Sequence, residues 1–90
     1  MIADDAQLRE LADEATLNAM VAQLIYDART KAKLTQGKLA KLIGTRQSVI
    51  SRLEDADYDG HSLSMLRRIA EALGKRLEVR FVDSPRSRAA

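Results

Sequence analysis

Apolar positions in this 90-residue chain recur at intervals of three and four for most of its length and at intervals of two near its end. Leu17, Met20, Val21, Leu24, Ile25 and Ala28 stand at i, i+3, i+4, i+7, i+8 and i+11, which predicts a core-facing helix over about residues 16–32. Leu8, Leu11, Ala12 and Ala15 predict an acidic helical stretch before it, either continuous with that helix or separately mobile. Leu34, Leu39, Ala40 and Ile43 form the next stripe, and Val49, Ile50 and Leu53 another after a break at Gly44. Leu63, Leu66, Ile69, Ala70 and Leu73 predict a last helix, capped by Ser62 and stopped by Gly74. From Arg76 to Val82 the period changes: Leu77, Val79 and Phe81 alternate with Glu78 and Arg80, as in a half-buried strand. One strand cannot form a sheet. It must pair with the same strand of a second copy across a two-fold axis or join the sheet edge of another protein.

The two short stripes around Gly44 are the most informative. Gly44 follows the last periodic residue of one helix, where a chain often turns through the left-handed conformation that glycine adopts cheaply. Two amphipathic helices joined by a short glycine turn are the pattern of a helix-turn-helix. Thr35 can cap the first with its hydroxyl, which leaves Gln36 in the first turn, side chain outward and free to meet a phosphate. With Val49, Ile50 and Leu53 inward, the second helix presents Gln47, Ser48, Ser51 and Arg52, led by Arg46. A glutamine amide can pair with N6 and N7 of adenine, an arginine fork with O6 and N7 of guanine, and small serines let a helix approach the groove. An ordinary solvated helix face would also accommodate these residue types.

Charge segregation separates the two possibilities. The net charge of +2 says little, but residues 29–53 hold seven Lys or Arg and no acid, whereas residues 1–28 hold six acids and one Arg. Residues 54–62 add Glu54, Asp55, Asp57 and Asp59, and residues 63–90 are again basic. A solvated surface intersperses both signs. A basic block that coincides with a helix-turn-helix, and contains Lys38, Arg46 and Arg52, fits the phosphate backbone of double-stranded DNA.

Other classes of function find less in the sequence. Cysteine is absent, so there is neither a disulfide framework nor a thiolate metal site. The sole histidine, His61, sits between Gly60 and Ser62 without a spaced ligand or nucleophile, as a turn residue does, and the carboxylates lack metal-loop spacing. No catalysis, cofactor or metal is expected. No apolar run approaches membrane-spanning length, and the acidic start is unlike a signal segment, so the expected location is cytoplasmic.

Arg29 followed by LTQGKLAKLIGTRQSVISRLE resembles the Xre/Cro helix-turn-helix family, which includes lambdoid phage repressors and many antitoxin repressors. The resemblance implies a mainly α, lambda-repressor-like bundle, with Gln36 at phosphate, Gln47, Ser48 and Arg52 facing bases, and Arg29 paired with Glu54 beneath the motif. One departure is Arg46, where the family usually has a capping Ser or Thr; Thr45 or Arg46 could then begin the second helix. With the acidic extension and the ending LGKRLEVRF, the chain resembles HigA-type antitoxins. That resemblance implies a homodimer that represses its own operon and masks a basic mRNA-cleaving toxin of the RelE/HigB class. A stand-alone or phage-type repressor without a toxin is the alternative, and a protein-binding helical module a third reading. The expected organisation is an acidic extension over residues 1–15, a DNA-binding domain over 16–74, a dimerisation strand over 75–82 carrying Leu77, Val79 and Phe81, and a disordered tail over 83–90.

Overall fold

The computed structural model describes residues 5–83, with side chains from Asp13 onward. Four helices follow in order: α1 (Asp5–Lys31), α2 (Gln36–Ile43), α3 (Gln47–Leu53) and α4 (Leu63–Ala72). The extension expected before residue 16 continues directly into α1, so a single 27-residue helix replaces two segments. Residues 1–4, the side chains of Leu8, Leu11 and Ala12, and the expected tail beyond residue 83 lie outside the described residues.

The helices are short, so their ends are built with care. Thr35 is extended, and its hydroxyl accepts the Lys38 amide at 3.1 Å, capping α2 as its sequence predicts. Ser62 does the same for α4 through the Met65 amide. Arg46 precedes α3 in an extended conformation with no side-chain cap bond, so α3 begins at Gln47. At the other ends one motif recurs three times. The Thr45 amide donates to the Ala40 carbonyl and the Gly44 amide to that of Lys41, closing α2 around Gly44 at φ 73°. Lys75 and Gly74 close α4 on Ala70 and Glu71 in the same way, with Gly74 at φ 71°. Leu34 and Lys33 close α1 on Arg29 and Thr30, but here a lysine holds the left-handed position, at φ 60°.

α2 packs against α3 and α4. Ile25, Leu39, Ala40, Ile43, Ile50, Leu53 and Ile69 form the core, with Val21, Val49, Tyr58, Met65, Leu66 and Leu73 against it. Leu39 and Ile50 are fully buried, each removing a side chain worth about 1.5–3 kcal/mol from water. α1 meets this core on a face offset from the expected one. Ala22, Ile25 and Arg29 are buried, whereas Leu17, Met20 and Leu24 are exposed. α1 is turned so that Ile25 joins the core and Arg29 enters the bundle. Leu63 is likewise exposed at the start of α4.

The expected strand does not form in the single chain: residues 75–82 have no regular secondary structure, and no strand occurs among the described residues. A strand's amide and carbonyl groups need a neighbouring ladder, and the described residues supply none. Leu77 is half-buried, lining a groove of about 180 Å³ with Leu24, Leu66 and Leu73, while Val79, Phe81 and Val82 are exposed.

The bundle is tied across its middle by Arg29 and Glu54. Arg29 Nε lies 2.6 Å from Glu54 Oε2 and Nη2 lies 2.9 Å from Oε1, a two-pronged pair whose side chains are 10% and 5% exposed. The third nitrogen, Nη1, donates to the Leu34 carbonyl at 2.8 Å, and the guanidinium lies 5.3 Å from the Tyr26 ring centroid. One residue of α1 thereby joins the α1–α2 turn to the end of α3. Removing either partner strands the other's charge, so Arg29→Ala and Glu54→Ala are each expected to cost about 3–5 kcal/mol in urea unfolding. A double-mutant cycle should show strong coupling; additive losses would mean that the two act separately.

Candidate nucleic-acid interface

α3 is oriented by what it buries. Ile50 and Leu53 are locked in the core and Val49 is half-buried, so Gln47, Ser48, Ser51 and Arg52 are all exposed, with Arg46 exposed just before them. The residues expected to read bases therefore share the accessible side of one helix. Lys38 is exposed in the first turn of α2, and Lys31, Lys33 and Lys41 are exposed elsewhere in the acid-free run. These cations stand on the α2–α3 unit, the turn leading into it and the last residue of α1.

Gln36 departs from expectation. Its side chain is not simply outward and free: Nε2 donates to Glu54 Oε1 at 3.0 Å, and Oε1 accepts from Gln47 Nε2 at 2.6 Å. Gln36 thus bridges the buried ion pair to the first residue of α3. The bridge forms because the turn at Gly44 folds the start of α3 back over the start of α2, a tertiary juxtaposition across eleven residues. Glu54 Oε1 accepts from both Arg29 and Gln36. The hydrogen bond to Glu54 raises the Arg29 pKa above its ordinary value, with burial opposing it and the carboxylate's charge adding to it. A raised arginine pKa stabilises the fold fully below the unfolded value and is lost only as pH rises through the folded one, so this contribution is constant around neutrality.

Two supporting residues carried no signal in the sequence. Arg68 of α4 donates through Nη2 to the Ile43 carbonyl, placing a cation on the C-terminus of α2 beside Gly44. His61 Nε2 lies 2.7 Å from the Leu53 carbonyl, which accepts its proton in the matching tautomer, and its ring meets Tyr58 edge-on at 5.0 Å. His61 therefore secures the end of α3 from the following loop, a structural use in keeping with its turn position. Only the partner's position in space could reveal either role.

Leu77, Val79 and Phe81, expected at a dimer interface, are not drawn into one cluster: Leu77 is half-buried while Val79 and Phe81 face solvent. Among the described residues no three His, Cys, Asp or Glu side chains stand together where they could hold a metal ion. No described helix is long and apolar enough to cross a membrane.

No curated protein matches the chain. Similar solved structures include FeII HppE in complex with substrate, at 29% identity and a TM-score of 0.60, covering 66% of this chain and 34% of that one. Apo-HppE matches at the same identity and TM-score over 33% of its length. Hydroxypropylphosphonic acid epoxidase from S. wedmorenis matches at 29% identity and a TM-score of 0.59, covering 66% of this chain and 31% of that one. The chain thus spans about a third of the solved proteins it resembles. A family profile described as a helix-turn-helix domain matches residues 3–81, and with nearly the whole chain matched this protein belongs to the helix-turn-helix domain family.

Proposed function

We propose that this chain is a sequence-specific double-stranded DNA-binding repressor that works as a homodimer, without catalysis or cofactor, by placing α3 in the major groove. The observation that carries the reading is the exposed set Gln47, Ser48, Ser51 and Arg52 on a helix whose other face is fixed in the core, at the end of an acid-free run holding seven cations. Helix-turn-helix modules dock in this way, with the start of the second helix at base edges and the first crossing the backbone. Arg52→Ala should cost about 1–3 kcal/mol of binding to a selected operator while sparing random duplex. Lys38→Ala should weaken all duplexes alike and reduce the salt slope by about one. Parental operator affinity in Arg52→Ala, measured by fluorescence anisotropy, would remove Arg52 from the reading set.

The dimer is supported by the exposed apolar side chains of Val79, Phe81 and Val82 on a segment with no ladder partner of its own. Two copies pairing these segments would gain the missing ladder and carry two recognition helices to a palindromic site. Val79→Pro, which removes a ladder donor, should yield monomers in sedimentation at micromolar concentration and lower operator affinity. A monomeric parent under the same conditions would contradict the proposal.

A protein partner is the finer part of the reading. We infer an antitoxin role against a basic toxin, as the HigA-type resemblance implies, and take α1 as the docking surface. The support in the fold is the exposed stripe Leu17, Met20 and Leu24, on a helix whose charged residues from Asp13 to Ala28 are Asp13, Glu14 and Asp27. Such a stripe is the kind of apolar surface that partners cover, with acidic flanks favouring a basic one. Leu17→Ser with Leu24→Ser should leave operator binding intact and abolish neutralisation of the adjacent gene's product on co-expression. Full neutralisation by that variant would move the contact elsewhere. A second reading, a helical module that binds protein and not DNA, draws on the exposed apolar stripe of α1. A mobility shift with random duplex at low salt separates it from the first.

A further inference from the structure

We propose that the groove of about 180 Å³ between α1, α4 and the segment after α4 is the docking site for the Phe81 ring of a second copy of this chain, the two segments pairing antiparallel about Val79. The inference rests on the dimer reading above and adds to it a pocket, its occupant and a register.

The groove has the chemistry of an aromatic seat. Leu66, Ile69, Ala70 and Leu73 of α4 line it, with Leu77 from the segment that follows. Leu24 also lines it but is 58% exposed, so α4 and Leu77 form its inner part. An apolar cavity of about 150 Å³ holds benzene, and this groove therefore has room for one phenyl ring. Phe81, the sole phenylalanine of the chain, is fully exposed. As a strand, the segment carries Phe81 about 13 Å beyond Leu77, away from its own groove. An antiparallel copy reverses that offset. With the two-fold axis at Val79, the partner's Phe81 stands directly opposite Leu77 on the same face, about 5 Å from it. Leu77 already lines the groove, so the ring beside it falls there too. Each copy's groove is completed by the other.

Charge selects this register over its neighbours. About Val79, Glu78 faces the partner's Arg80, Lys75 beside the groove faces the partner's Asp83, and Arg76 faces the partner's Val82. Moving the axis to residue 78 sets Glu78 against its own copy and Arg76 against Arg80. Moving it to residue 80 sets Arg80 against its own copy and Leu77 against Asp83. Opposite charges directly across a pair of strands stabilise it and like charges destabilise it. In one copy Glu78 and Arg80 lie 3.6 Å apart with both side chains largely exposed, so each is free to take a second partner. The resulting ribbon is apolar through Leu77, Val79 and Phe81 on the groove side and carries its Glu78 and Arg80 pairs on the other.

The test uses the full-length protein in sedimentation equilibrium. Phe81→Ala should raise the dimer dissociation constant about a hundredfold or more, because two rings are lost per dimer. Ala70→Leu fills the groove from α4 with a good helix former and should weaken the dimer about tenfold. In the Phe81→Ala background the same change should cost nothing further; an equal cost there would overturn the groove as the ring's seat. The register is read without altering the ring. Lys75→Asp and Asp83→Lys each bring like charges together at two points, so each alone should dimerise less than the parent. An equimolar mixture of the two restores both pairs and should form heterodimers in excess of either homodimer. A statistical mixture would overturn the axis at Val79. A measurement on the parent needs no variant: in a dimer of one isotope-labelled and one unlabelled copy, the Phe81 ring should show NOEs between copies to the Leu66 and Leu73 methyl groups. A dimeric parent without those NOEs would overturn the docking alone, whereas a parent that stays monomeric would overturn the dimer reading itself.

Discussion

The rest of this fold depends on a buried charge that has no escape to water. Arg29 enters the bundle from α1, and its guanidinium meets the Glu54 carboxylate with two bonds while a third ties down the Leu34 carbonyl. Burying either ion alone would cost several kcal/mol, so each holds the other in place. The consequence is geometric: the turn after α1 and the end of α3 must stay together. The α2–α3 unit is clamped from below by a bond network and from within by Leu39 and Ile50.

Helices of seven to ten residues are marginal by themselves, and α2 and α4 are helped by having their ends satisfied. Hydroxyl caps serve α2 and α4 at their starts, and left-handed turns close α1, α2 and α4. α3 has the least of this: no side-chain cap at Arg46, and an end held by His61 at the Leu53 carbonyl. The helix that must present its face to a ligand is thus supported mainly by what it buries. Rigid support beneath an exposed polar face is what a reader of base edges requires, because a side chain held in one orientation distinguishes bases that a mobile one would not.

The two apolar surfaces left uncovered lie away from that polar face in sequence. One is the stripe Leu17, Met20 and Leu24 on α1, and the other the segment carrying Val79, Phe81 and Val82. A ninety-residue chain buries a modest core, and the side chains of both surfaces are left outside it.

Periodicity and end signals were enough to place α2 and α4, because local chemistry decides them: Thr35 and Ser62 cap where their hydroxyls reach a free amide, and Gly44 and Gly74 turn where φ is positive. The exposed face of α3 was equally legible, since Val49, Ile50 and Leu53 dictate which side is left over. The pairing of Arg29 with Glu54 was implied by family resemblance, but that it is buried is a tertiary fact. Tertiary structure alone decided which stripe of α1 goes inward, because Leu17, Met20 and Leu24 are as apolar as the residues that are buried. Ile25 in the core and Arg29 at Glu54 break that tie. It also decided the fate of Gln36, whose amide has no instruction in its own neighbourhood to face Glu54 and Gln47 rather than water. The alternation at residues 77–81 has a strand's spacing, but a ladder needs a second strand, and the described residues supply none.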